Sequence, residues 1–190
     1  MNKAKWFVVL LFVVAAGLTG FVVTKNNLLK LNNQASGSTP TVFPTAAPTP
    51  TFEKTLGDFL ITDREIELKD GRPQVYFFGG SSCPHCVWEK PVVQKVFNKF
   101  GNEIDYHENF DSSADMDVFR KYSDINPGYV PFLILGGKYS RVGAGENLGE
   151  TEEESKKLEE EALSAILCKL TNGKPVSVCD SLKDKTEQIK

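Results

Sequence analysis

Val75-Tyr76-Phe77-Phe78-Gly79-Gly80-Ser81-Ser82-Cys83-Pro84-His85-Cys86 decides how this chain is read: an apolar run gives way to a Cys-x-x-Cys at the head of a helical pattern. Bulky apolar residues ending in a glycine pair read as a buried strand, here Gln74 to Phe78. Beyond Cys86, the residues Val87, Val92, Val93, Val96, Phe97 and Phe100 form a helical face, with Gly101 as a stop. Pro91 lies inside that helix and predicts a kink. Two thiols on the first turn of a helix can close into a disulfide and reopen. The unpaired amides and positive end of the helix dipole favour a thiolate on the first of them. The same two sulfurs could instead belong to a metal site, so the spacing alone leaves both chemistries open.

Towards the N-terminus, Phe59-Leu60-Ile61 and Ile66-Glu67-Leu68 read as short strand pieces, and Lys69-Asp70-Gly71-Arg72-Pro73 is a turn signal. Residues 24–52 form a linker whose Asn32 to Pro50 portion is Asn, Ser, Thr, Ala and Pro without a charge, a composition that favours an extended, semi-stiff stalk. Residues 1–5 are a basic lead. Trp6 to Val23 follow without a charge, eighteen residues and so just enough for a membrane crossing. Ala15-Ala16-Gly17 lies inside the apolar run and no clean cleavage site follows it, which favours an uncleaved anchor over a removed signal peptide. Lys3 and Lys5 lead while Lys25 and Lys30 follow, a small bias towards a cytoplasmic N-terminus. The remaining domain, residues 53–182, is then expected outside the cytoplasm, with 183–190 as a frayed polar tail.

Towards the C-terminus, Ile104 to Phe110 alternates like a strand and Ser113 to Tyr122 reads as a short helix. Val130 to Leu135 is a further strand, and Gly136-Gly137 predicts a two-residue hairpin turn into Lys138 to Val142. Thr151-Glu152-Glu153-Glu154 is a capping box opening a long helix with Leu158, Ala162, Ile166 and Leu170 spaced by four; Asn172-Gly173 and Pro175 end it. The order β, α, β, α, β, β, α places the domain in the α/β class.

Composition narrows the function. With the four lysines of the first thirty residues set aside from the net charge of −3, residues 31–190 carry −7, a poor balance for binding nucleic acid. There is no Gly-rich phosphate loop. Four cysteines allow three pairings. The short Cys83–Cys86 loop favours pairing Cys168 with Cys179 as a structural bridge across the Asn172-Gly173-Lys174-Pro175 turn; a second redox pair or two free thiols are the rivals. His107 reads as an ordinary strand histidine. The aromatic residues Tyr76, Phe77, Phe78, Phe97, Phe100, Phe110, Phe119 and Phe132 read as core. Glu152 to Glu154 and Glu159 to Glu161 read as solvated helix faces beside Lys156 and Lys157.

A helix-opening Cys-x-x-Cys, Pro91 five residues after its second cysteine, and Val130-Pro131 ahead of an apolar strand occur here together. In that combination, over roughly residues 55 to 170, the chain resembles the thioredoxin superfamily. Its Cys-Pro-His-Cys is similar to that of the bacterial oxidase DsbA and of thioredoxin-like domains linked to vitamin K epoxide reductase homologues. The short distance from Cys86 to Pro131 leaves no room for an inserted helical domain. The resemblance implies a thioredoxin-like fold, a central mixed sheet flanked by helices behind an N-terminal transmembrane helix, acting as a thiol–disulfide oxidoreductase. It implies Cys83 as the exposed nucleophile, Cys86 as the buried resolving thiol, Pro84 and His85 as the dipeptide that tunes them, and Val130 with a cis Pro131 as the wall for an extended substrate. It implies no cofactor and no metal. As partners it implies cysteine-containing exported proteins and a quinone-linked membrane protein of the vitamin K epoxide reductase or DsbB type.

His85 and the helix N-terminus stabilise the thiolate, and a stabilised thiolate makes the disulfide a stronger oxidant, so a disulfide donor is the expected direction. A reductase or isomerase, and a copper- or zinc-binding module, are the alternatives. Where the family carries a buried acid six residues before the first cysteine, this chain has Phe77; Glu89 is a candidate substitute but reads as solvated surface. A reporter fused after residue 55 is expected to be active only outside the cytoplasm. Activity on the cytoplasmic side would remove the anchor reading.

Overall fold

Alternation along two apolar strands explains how the sheet is covered. The computed structural model describes residues 51–190; the expected basic lead, membrane anchor and nearly all of the linker lie outside the described residues. Among the described residues no helix is long and apolar enough to cross a membrane. The first strands are β1 (Glu53–Lys54), β2 (Leu60–Ile61), β3 (Leu68–Lys69) and β4 (Arg72–Gly79), followed by helix α1 (Pro84–Phe100). Then come β5 (Asp105–Phe110), α2 (Met116–Lys121), β6 (Phe132–Leu135) and β7 (Tyr139–Val142). Three helices close the chain: α3 (Glu152–Leu170), α4 (Val176–Cys179) and α5 (Lys183–Gln188).

The result is a mixed α/β domain. β4 pairs in parallel with β5, Val75 opposite Tyr106, and antiparallel with β6, Val75 opposite Leu135. β7, β2 and β1 extend the sheet antiparallel beyond β6, and β3 pairs with the start of β4. Val75 and Phe77 of β4, with Leu133 and Leu135 of β6, enter one core together with Val93, Val96 and Phe97 of α1 and Leu163, Ile166 and Leu167 of α3. Tyr76, Phe78, Phe132 and Ile134 point the other way, into a smaller core with Val118, Phe119 and Tyr122. A strand covered on both faces needs apolar residues at every position, which is why Val75 to Phe78 of β4 and the whole of β6 read as unbroken hydrophobic runs. Each such side chain contributes roughly 1.5–3 kcal/mol relative to exposure.

The helix ends follow their capping residues. Thr151 caps α3, its hydroxyl accepting from Glu154 N–H at 3.1 Å, but the Glu154 carboxylate accepts from Glu150 N–H rather than returning to Thr151. α1 runs without a break through Pro91, the expected site of a kink. Its end at Phe100 is marked by Gly101, at φ 47°.

Three expectations need correction. Leu135 lies opposite Tyr139, so the β6–β7 turn has three residues, Gly136, Gly137 and Lys138, instead of two. Both glycines take positive φ, 58° and 72°, and a Cβ on Gly136 would stand 2.8 Å from Leu170 Cδ2. The tail at 183–190 is not frayed: it forms α5, Ile189 is buried in the larger core, and Tyr139 donates its hydroxyl to Lys190 O at 2.7 Å. Leu182 packs against the same core, and Lys185 pairs with Glu161 of α3, so apolar and charged contacts dock this helix together. Glu159 does not face solvent; it is fully buried.

Cys168 and Cys179 are bonded, with Cα atoms 5.5 Å apart, and the bridge joins α3 to α4. Lys174–Pro175, in the turn between those helices, is cis. Replacing both cysteines by alanine is expected to cost about 3 kcal/mol of stability from loop-closure entropy. Urea unfolding of the oxidised parent and the double variant measures it; equal midpoints would show that the bridge contributes nothing.

Candidate functional site

The turn that leaves β4 delivers Cys83 to the head of α1. Cys83 N–H donates to Gly80 O at 3.1 Å, while Asp111, at the end of β5, accepts Ser81 N–H on its carboxylate at 2.9 Å and donates its own N–H to Gly79 O at 3.1 Å. Cys83 is the N-cap residue of α1 with extended backbone, φ −103° and ψ 110°, and its sulfur accepts from Cys86 N–H at 3.2 Å. Pro84 occupies the first helical position, where a missing N–H costs nothing. Cys83 and Cys86 are bonded, with Cα atoms 5.2 Å apart; Cys83 is half-buried and Cys86 fully buried. An incoming nucleophile therefore meets Cys83 first.

Val130 comes to this sulfur from the far side of the sequence. Its carbonyl oxygen stands 3.7 Å from Cys83 Sγ, and the Val130–Pro131 peptide is cis. In the disulfide this is a contact; in the dithiol the same distance admits a donated S–H. Val87, Tyr129 and Val130 are exposed apolar residues of α1 and of the segment that brings Val130 to Cys83. The backbone ahead of Val130 is held by Asn126, which is buried. Its side-chain oxygen accepts from Gly128 N–H at 3.0 Å and Tyr129 N–H at 2.7 Å, and its amide donates to Tyr129 O at 2.9 Å. Asn126 carries no spacing signal in the sequence that links it to the cysteines.

His85 is exposed, and its Nδ1 lies 2.6 Å from Glu146 Oε1, on the loop after β7. Nothing in the sequence links Glu146 to His85, 61 residues before it. Cys168 and Cys179 belong to the α3–α4 bridge and not to this cluster. Phe77 is buried and stacks with Phe110 at 6.1 Å between ring centroids. His107 is satisfied on both ring nitrogens, by Asp105 and Asp115 at 3.0 Å each.

Glu89 is the largest correction near the site, because it is fully buried where solvated surface was expected. One carboxylate oxygen accepts from Arg141 Nη2 at 2.9 Å and the other from Gly145 N–H at 3.0 Å. Arg141, itself buried, also makes a bidentate pair with Glu159 at 2.5 and 2.6 Å. A signal for this was present: Cys86, Glu89, Val93, Val96 and Phe100 follow one another at three- and four-residue steps, so Glu89 falls on the apolar stripe of α1. Burial is the main cause that pushes the Glu89 carboxyl up from 4.5, and the neighbouring Glu159 charge adds to it, with Arg141 opposing. Among the described residues no group of three or more His, Cys, Asp or Glu is arranged to hold a metal ion.

This arrangement can present one sulfur to a partner, keep the other from water and offer an N–H to the charge left on the first. No protein-family model matches the chain, and no curated protein matches it.

A carboxyl raised by folding keeps a proton that the unfolded chain has already lost. Stability is then full below the unfolded value and falls as pH rises from 4.5 towards the raised one. Urea titrations across that range are expected to show the fall, and Glu89→Gln, which cannot ionise, is expected to flatten it. An unchanged slope in that variant would assign the fall to other groups.

Proposed function

We propose that the chain is a thiol–disulfide oxidoreductase with a thioredoxin-like fold, tethered to a membrane by residues 6–23 and acting on exported proteins as a disulfide donor. The observation that carries this reading is the Cys86 N–H on the Cys83 sulfur, 3.2 Å away at the head of α1. An amide and a helix dipole aimed at one sulfur stabilise a thiolate there. The order of strands β5, β4, β6 and β7, with α1 and α3 on one face and α2 on the other, supports the fold reading.

In this reading an extended substrate lies along Val130, and its thiolate attacks Cys83 Sγ. A bond forms between the substrate sulfur and Cys83, the Cys83–Cys86 bond breaks, and the electron pair leaves on Cys86, which takes up a proton. Glu89, one turn along the same buried face of α1, is the carboxyl we assign to that proton exchange in place of the absent acid at Phe77. A second substrate thiol, deprotonated, then attacks the substrate sulfur of the mixed disulfide. Cys83 leaves as a thiolate onto the Cys86 N–H. The substrate loses two electrons and the protein gains them. A quinone-linked membrane protein is the class of partner that would restore the disulfide.

Cys83→Ser is expected to abolish oxidation of a dithiol peptide by the oxidised protein, and retained activity would sink the reading. The equilibrium potential of Cys83–Cys86 against glutathione tests its direction. A value nearer about −120 mV supports a donor, and one nearer about −270 mV a reductase.

A further inference from the structure

The loop after β7 is fastened to the site at three successive points. Gly143 N–H donates to Pro131 O at 2.8 Å, Gly145 N–H to Glu89 at 3.0 Å, and Glu146 Oε1 lies 2.6 Å from His85 Nδ1. The first two bonds fix the backbone that carries Glu146. Its side chain is 27% exposed against 60% for His85, so the carboxylate is the anchored member of the pair and the imidazole the one it holds. An exposed ion pair of this kind adds little stability. Its effect on a neighbouring charge is another matter.

His85 lies two residues beyond Cys83 on the first turn of α1, and an imidazolium there favours a thiolate on Cys83. A carboxylate bonded to that ring makes the pair neutral and replaces the field of a cation by the weaker field of a dipole. We propose that Glu146 is a positioning residue that moderates the oxidising strength of the Cys83–Cys86 disulfide by holding and neutralising His85. The inference rests on the thiol–disulfide reading above and adds a control on its strength. Only the reduced protein carries a thiolate, so by neutralising His85 Glu146 takes from the reduced state an attraction that the disulfide state never has. A less favoured reduced state is a weaker oxidant.

The test is the equilibrium of the full-length chain, in detergent, with glutathione at about pH 6. Two glutathione thiols reduce Cys83–Cys86 to the dithiol and leave as one glutathione disulfide. Glu146→Gln is expected to favour the reduced protein about tenfold, equivalent to about 30 mV towards a more oxidising potential. An unchanged constant, or one that moves the other way, overturns the proposal. In a His85→Ala background the same substitution is expected to change nothing. A full tenfold shift there would mean that the carboxylate acts without His85, which also overturns it. This equilibrium needs only the two sulfurs, so it reads Glu146 even if Cys83→Ser leaves peptide oxidation intact and the proposed function fails.

Discussion

A guanidinium buried in the middle of the domain requires every one of its donors to find an acceptor, and Arg141 meets that demand by drawing four segments together. Its two terminal nitrogens reach Glu159 of α3, Glu89 of α1 and Gly57 O of the turn after β1, while Nε reaches Gly143 O at 3.2 Å. Five N–H groups thus meet five acceptors. Ionising both carboxyls beside one cation would leave an excess of negative charge in the interior, which adds to burial in pushing the Glu89 carboxyl up. Buried pairs of this kind add little net stability over well-packed apolar residues, but loss of one member leaves an uncompensated charge. Their effect is to fix relative position, here of α1, α3 and β7.

The cysteine pair inherits its surroundings from that constraint. Arg141 holds Gly143 O, Glu89 holds Gly145 N–H, and between them the loop is set so that Glu146 meets His85 and Gly143 meets Pro131. The sulfurs themselves depend on a more local rule. An N-cap residue offers its side chain to the free amides of the first turn, and when that residue is cysteine the atom offered is a sulfur. Under the proposed function the two levels oppose each other: the helix end and His85 favour the thiolate, and Glu146 restrains it.

The local elements were largely legible. β4 and β6 read as buried strands because both faces of the sheet are covered and no polar residue interrupts Tyr76 to Phe78 or Phe132 to Leu135. α1 and α3 announced their ends through Cys83-Pro84, Gly101 and Thr151. What escaped were charges whose partners lie far along the chain. Glu159 belongs to a helix rich in acids and bases and Glu89 is the one acid of α1; Arg141, 18 and 52 residues away, makes their burial tolerable, with Gly145 N–H also on Glu89. Ile189 looked like part of a polar tail because one apolar residue carries no periodicity.

By itself the sequence determined the α/β alternation and the helix that begins at the cysteines, since each follows from hydrophobic period or capping chemistry; it favoured pairing Cys168 with Cys179, and the structure shows that bond. The tertiary structure alone decided which atoms meet: the Val130 carbonyl on the Cys83 sulfur, Arg141 between Glu89 and Glu159, and Glu146 on His85. The physical reason is range. Period and capping act within a few residues, whereas the cost of burying a charge depends on which distant partner the fold brings to it.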